Sequence, residues 1–212
     1  MDTSISILFL TALTIGVTHV ILGPDHYLPF IVLSKAGKWS LTKTMLITMI
    51  CGVGHVIGSV VLGFLGVLLS LNLQRLEIIE SIRGDWAGWL LTFFGFVYLV
   101  WALIKMNHGH QHKIDGQKFN STPWIIFIIF ALGPCEPLIP LLIYPAAKGN
   151  FISVIMVALI FSVSTIITMM MAVSLGYYGL SLVKLQKLDR YANVLAGTAI
   201  FLSGIAVTFL GL

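Results

Sequence analysis

Long apolar runs separated by short charged or turn-rich stretches divide this chain into six candidate spans, at about 5–33, 43–71, 86–105, 122–146, 151–180 and 191–211. A helical crossing of a bilayer needs ~20 predominantly apolar residues, and each run supplies about that number. Lipid cannot satisfy a free backbone N–H or carbonyl, and the period-2 alternation of barrel strands is missing, so helices are the expected elements. The expected fold class is an all-α membrane protein with six transmembrane helices. Two runs carry an interruption. Gly23-Pro24 lies in the first and Gly133-Pro134 in the fourth. Proline lacks an N–H and clashes with the carbonyl four residues back, so the spacing predicts a broken helix at each.

The two interrupted runs share more than a proline. Leu22-Gly23-Pro24-Asp25-His26-Tyr27-Leu28-Pro29 resembles Leu132-Gly133-Pro134-Cys135-Glu136-Pro137-Leu138-Ile139-Pro140, with one inserted residue. Further on, Gly37-Lys38-Trp39 resembles Gly149-Asn150-Phe151, and Leu62-Gly63-Phe64-Leu65-Gly66 resembles Leu175-Gly176-Tyr177-Tyr178-Gly179. Three matches in the same order suggest a duplicated unit. A three-span unit repeated in one chain must insert upside down the second time, giving two inverted three-helix repeats. The expected division is residues 1–105 for the first repeat, 106–121 for a histidine-bearing loop, and 122–212 for the second repeat.

Composition narrows the class further. The 212 residues are 58% hydrophobic and 9% charged, against roughly a quarter charged in ordinary soluble domains. Six crossings leave no room for a separate soluble domain, so an enzyme is not expected. The first run lacks a basic leader and a small-residue cleavage site, and is expected to be retained. The net charge of +4 would hint at nucleic acid in a soluble protein, but here the basic residues fall mostly between spans. Lys35, Lys38, Lys43, Lys105, Lys113, Lys118, Lys184, Lys187 and Arg190 lie on one side, and Arg75, Arg83 and Lys148 on the other. The positive-inside rule puts the larger group in the cytoplasm and both termini outside, in a plasma membrane of bacterial inner-membrane type.

Within this apolar background a few polar residues stand out. An ionisable side chain at the bilayer centre costs at least ~2.5–3.5 kcal/mol, which makes it a functional candidate by default. Asp25 and His26 follow Pro24, and His19 precedes His26 by seven positions, two turns away on one face of a regular helix. His55 lies mid-run between Gly54 and Gly58, with Cys51 one turn before it on the same face. In the second half Cys135 aligns with Asp25, and Glu136 with His26. Imidazole, thiolate and carboxylate together suit late transition metals such as nickel, cobalt, copper or zinc. The run Met169-Met170-Met171 reads as packing or lipid contact. His108, His110 and His112 form a candidate metal-collecting tract on the predicted cytoplasmic loop. A phosphate-binding loop, a Walker motif and a basic-aromatic nucleic-acid surface are all missing.

With His19, Asp25 and His26 in the first span and Gly54-His55 in the second, the chain resembles the nickel/cobalt transporter families, and most of all the small UreH-like members of the LysE-type superfamily. The resemblance implies metal recognition by His19, Asp25, His26 and His55. Five residues separate His19 from Asp25 where the family has four, and the second half has Gly133-Pro134-Cys135-Glu136-Pro137 in place of a histidine-containing string. That string is similar to the CcdA/DsbD membrane proteins, which carry electrons between thiol-disulfide partners and would here use Cys51 and Cys135. The superfamily also resembles exporters of small anions or amino acids.

The expected function is transport of a divalent transition-metal cation of nickel or cobalt type by alternating access. The metal site would comprise His19, Asp25, His26, His55, Cys135, Glu136 and Cys51, with proton competition at the ligands coupling occupancy to pH. No resident cofactor is expected. The partners are the metal ion and the lipid bilayer, with a second copy of the chain a candidate through the glycine-bearing helices, and no nucleic acid.

Overall fold

The computed structural model describes residues 3–69, 72–107, 122–182 and 191–210. The loop histidines His108, His110 and His112, and the basic residues Lys113, Lys118, Lys184, Lys187 and Arg190, lie outside the described residues. Every regular element among the described residues is helical. The order is α1 (Thr3–Leu22), a single 3-10 turn (Pro24–His26), α2 (Leu28–Ala36), α3 (Leu41–Leu68), α4 (Leu73–Asn107), α5 (Thr122–Leu132), α6 (Leu138–Ala147), α7 (Phe151–Leu182) and α8 (Ala192–Leu210). Five of them, α1, α3, α4, α7 and α8, are long and apolar enough to cross a membrane, as expected of a multi-pass membrane protein. α5 and α6, at 11 and 10 residues, are each too short to cross alone.

The interruptions fall where the prolines predicted them. α1 stops at Leu22, and the chain turns through Gly23 and the 3-10 turn before α2 starts. α5 stops at Leu132, and Gly133, Pro134 and Cys135 lie outside any helix. One expected boundary is wrong. The third run begins at Leu73 instead of residue 86, which takes Arg75 and Arg83 out of the predicted outward loop and into α4. The reason is electrostatic: Arg83 Nη1 donates to Glu80 Oε2 at 2.7 Å, three residues back on the same helix, and the paired charges can be packed where single ones could not.

The outer surface is apolar, unlike that of a soluble protein, and small polar side chains share the interior with the apolar core. Large apolar side chains such as Leu10, Trp86, Trp89, Phe93, Ile152 and Leu175 are exposed, whereas Ser34, Thr44, Thr48, Ser59, Ser164 and Thr165 are buried. Association of helices in lipid depends on close van der Waals approach, and small residues allow it. The longest seam joins α4 to α8. A Cβ on Gly197 would stand 2.6 Å from Leu99 Cα, and one on Gly95 would strike the backbone of Phe201, so the two backbones touch. Elsewhere α1 packs on α7 as α5 packs on α3, α2 packs on α7 as α6 packs on α3, and α3 crosses α7. Threonines along α1 and α3 return their hydroxyls to carbonyls four residues back, as Thr14 does to Leu10 and Thr48 to Thr44, which keeps these groups satisfied away from water.

Candidate metal centre at the two helix breaks

Each break leaves carbonyls without their usual helical donor, and the polar side chains gather around them. In the second break, Pro134 cannot donate to the carbonyl of Phe130, four residues back. That oxygen instead receives the backbone N–H of Gly133 at 3.0 Å and faces His55 Nδ1 of α3 at 3.2 Å. In the first break, the Gly23 carbonyl receives the backbone N–H of His26 at 3.1 Å and also faces His26 Nδ1 at 3.1 Å. Asp25 Oδ1 lies 3.1 Å from the same ring nitrogen. His26 is buried, and the Asp25 side chain keeps 20% of its surface accessible.

These partners fix the tautomers. A backbone carbonyl can only accept, so Nδ1 of His55 carries the proton, and so does Nδ1 of His26 between a carbonyl and a carboxylate. In the neutral rings the lone pairs are therefore on Nε2. The two Nε2 atoms face each other across 3.3 Å. Two lone pairs at that distance repel unless a cation lies between or beside them, either a proton on one ring or a metal held by both. Two imidazole nitrogens ~2.05 Å from a shared tetrahedral ion stand about 3.3 Å apart, so the observed spacing fits such an edge. His19, in the last turn of α1, supplies a third ring. Its centroid lies 4.6 Å from that of His26 and 6.1 Å from that of His55. One ligand atom from each of the three histidines falls within 4.8 Å of the other two.

The structure therefore brings His19, His26 and His55 together. The reason differs in part from the helical spacing read in sequence, because the helix ends between His19 and His26 and it is the turn at Pro24 that swings His26 back. Asp25 stands behind His26, where it orients the ring and favours the Nε2 lone pair; metal-binding histidines commonly have such a partner. Cys135 is buried with Sγ 4.0 Å from His19 Nε2, at the margin of the triad. Glu136 lines the same cavity from the second break but is exposed. Cys51 is buried in the apolar cluster that also contains Ile126 and Met169, and takes no part in the grouping around the imidazoles. One helical turn of separation puts it on the face of His55 but at a different level along α3. Both cysteines are free, and they belong to separate apolar clusters. Met169 is also core, while Met171 is exposed.

A cavity of about 340 Å³ adjoins the triad. Both breaks reach it, through Asp25 and His26 on one side and Gly133, Pro134 and Glu136 on the other, and Val207 and Thr208 of α8 help to close it. Its wall also holds Asp85 of α4, a residue that the pattern of spans did not single out. Glu80, Arg83 and Ser59 were missed as well. They form a polar network behind the second break, and the one sequence signal for it is the Glu80/Arg83 spacing at the start of an apolar run. No protein-family model, curated protein or solved structure matches this chain.

Proposed function

We propose that the protein is a membrane carrier of a divalent transition-metal cation, with His19, His26 and His55 as the cargo site. The observation that carries this reading is the pair of Nε2 atoms facing each other at 3.3 Å, each ring locked by an acceptor on its other nitrogen. Borderline metals such as nickel, cobalt and zinc favour imidazole donors, and the motif resemblance favours nickel or cobalt among them. A site of three neutral rings with Asp25 close behind offers selectivity with little net charge, which suits a cargo that must leave again. Protons compete for the same lone pairs, so cargo occupancy falls as pH falls.

The mechanism follows from the two breaks. In this reading α5 and α6 together make the sixth crossing, α1–α4 and α5–α8 are inverted repeats about the shared cavity, and their α1–α3 and α5–α7 parts rock against the joined α4 and α8 to alternate access. The reciprocal pairings support it: α1 with α7 against α5 with α3, and α2 with α7 against α6 with α3. Asp25 and Glu136, one from each break, would draw a cation into the cavity. Six crossings put both termini on one side, outside by the basic-loop count, in a plasma membrane. Thiol-disulfide electron transfer draws no support from two free cysteines in separate apolar clusters.

The test is flux. Purified protein in liposomes loaded with a metal-sensitive fluorophore should admit Co²⁺ or Ni²⁺, and His26→Ala and His55→Ala should abolish the signal while melting as folded proteins. Unchanged flux in both variants would overturn the reading.

A further inference from the structure

The second break is held by a charged pair that the transport reading does not use. Arg83 of α4 reaches across to α5, where Nη2 donates to the carbonyls of Ala131 at 3.2 Å and Gly133 at 3.3 Å. Both oxygens have lost their helical donors at the break. Nη1 donates to Glu80 Oε2 at 2.7 Å and to Ser59 Oγ at 3.4 Å, and Ser59 Oγ also accepts the backbone N–H of Cys135 at 3.0 Å. One guanidinium therefore ties α3 and α4 to the α5 end of the broken segment, and Ser59 carries the link on to Cys135. Space has been left for it. A Cβ on Gly58 would stand 2.6 Å from Arg83 Nη2 and 3.1 Å from the Ala131 carbonyl oxygen.

The bonded carbonyls of Ala131 and Gly133 lie on the same short stretch as Phe130, whose carbonyl orients His55. We propose that Arg83, neutralised by Glu80, is a positioning residue for the metal site: it fixes the backbone after Phe130, and through the Phe130 carbonyl it keeps the Nε2 lone pair of His55 turned toward His26. Arg83 has no bond to any of the three rings among the described contacts, so its effect is indirect. An unbridged carbonyl stretch beside a proline can rotate, and His55 Nδ1 then loses its acceptor. Lysine, with a single point of charge, cannot span two carbonyls, a hydroxyl and a carboxylate at once.

The proposal deepens the metal-carrier reading, but its first readout needs no metal. In protein carrying ¹⁵N-labelled histidine, in detergent at about pH 8 where free imidazole is neutral, wild type should show His55 protonated at Nδ1 alone. The His55 signals are identified by their loss in His55→Gln. Arg83→Ala should give a mixture of tautomers, Arg83→Lys should restore the single form only in part, and methylguanidinium added to Arg83→Ala should shift the mixture back. Gly58→Ala displaces the guanidinium without removing it and should act in the same direction, which keeps the test decisive if Arg83→Ala does not fold. An unchanged single tautomer in the folded variants overturns the proposal. With Co²⁺ as probe, the same variants should lose about tenfold in affinity, the lower end for altered support of a metal-bound histidine, and should show a weaker visible absorption band. A tautomer change in protein whose wild type binds no Co²⁺ would uphold the positioning role and overturn the metal reading alone.

Discussion

Replacing Asp25 by Asn tests how much the carboxylate contributes from behind His26. The substitution keeps shape and an acceptor oxygen but removes the charge. Partners of metal-bound histidines typically contribute 10–100-fold to affinity, about 1.4–2.7 kcal/mol. Two features of the structure put Asp25 at the low end of that range. Its Oδ1 to Nδ1 distance is 3.1 Å, longer than the ~2.7–2.9 Å of strong charge-assisted bonds. The Gly23 carbonyl also faces Nδ1 at 3.1 Å, so the ring keeps one acceptor and its tautomer when the charge is gone. Asp25→Asn should therefore weaken Co²⁺ binding about tenfold, or ~1.4 kcal/mol. His26→Ala removes a donor outright and should weaken it by well over that. Calorimetric titration of the detergent-solubilised variants, at one pH and with matched melting curves, measures both. An Asp25→Asn affinity equal to wild type would refute the orienting role, and a loss as large as that of His26→Ala would make Asp25 itself a ligand.

Cys51→Ala combined with Cys135→Ser should leave metal flux little changed, with a cost of ~1 kcal/mol in stability from the lost buried sulfur of Cys51; complete loss would return the thiol-disulfide alternative to the front. Acidification should weaken metal binding, because a protonated Nε2 has no lone pair for a metal, with a slope that approaches about tenfold per pH unit for each proton displaced only once a ring is protonated in the metal-free site; titrations between pH 8 and pH 5.5 check the sign. Gly197→Val should lower the melting temperature by several degrees, since its side chain would collide with Leu99 at the α4–α8 seam, and an unaltered melt would mean that the seam is loose. Reporter fusions at the two ends should both give the outward signal, and opposite signals would exclude six crossings.

Much of this arrangement is legible in the amino-acid sequence. The breaks at Pro24 and Pro134 follow from the missing N–H of proline, and the membrane class follows from the apolar runs. His19, His26 and His55 were legible as costly groups in lipid. Other features depend on geometry that spacing does not encode. Cys51 shares a helix face with His55, yet the level at which the imidazoles meet is set by where the turn at Pro24 delivers His26, and Cys51 misses it by a helical turn. Arg83 read as an outward loop charge because a cation ahead of an apolar run normally marks its end. Only the fold brings it within 3.2 Å of the Ala131 carbonyl, 48 residues later. Asp25 was legible as important, but its place behind the imidazole depends on the 3-10 turn.

The contact between α4 and α8 restricts which parts of the protein can travel. Backbones that touch at Gly95 and Gly197 cannot slide along one another without collision, so the two helices behave as a stiff plank, with Ala87 and Leu91 of one and Val207 and Thr208 of the other forming one wall of the cavity. On the proposed carrier reading, the swing that admits or releases an ion then comes from α3, α7 and the broken segments that pack on them, with the joined α4 and α8 as the fixed side.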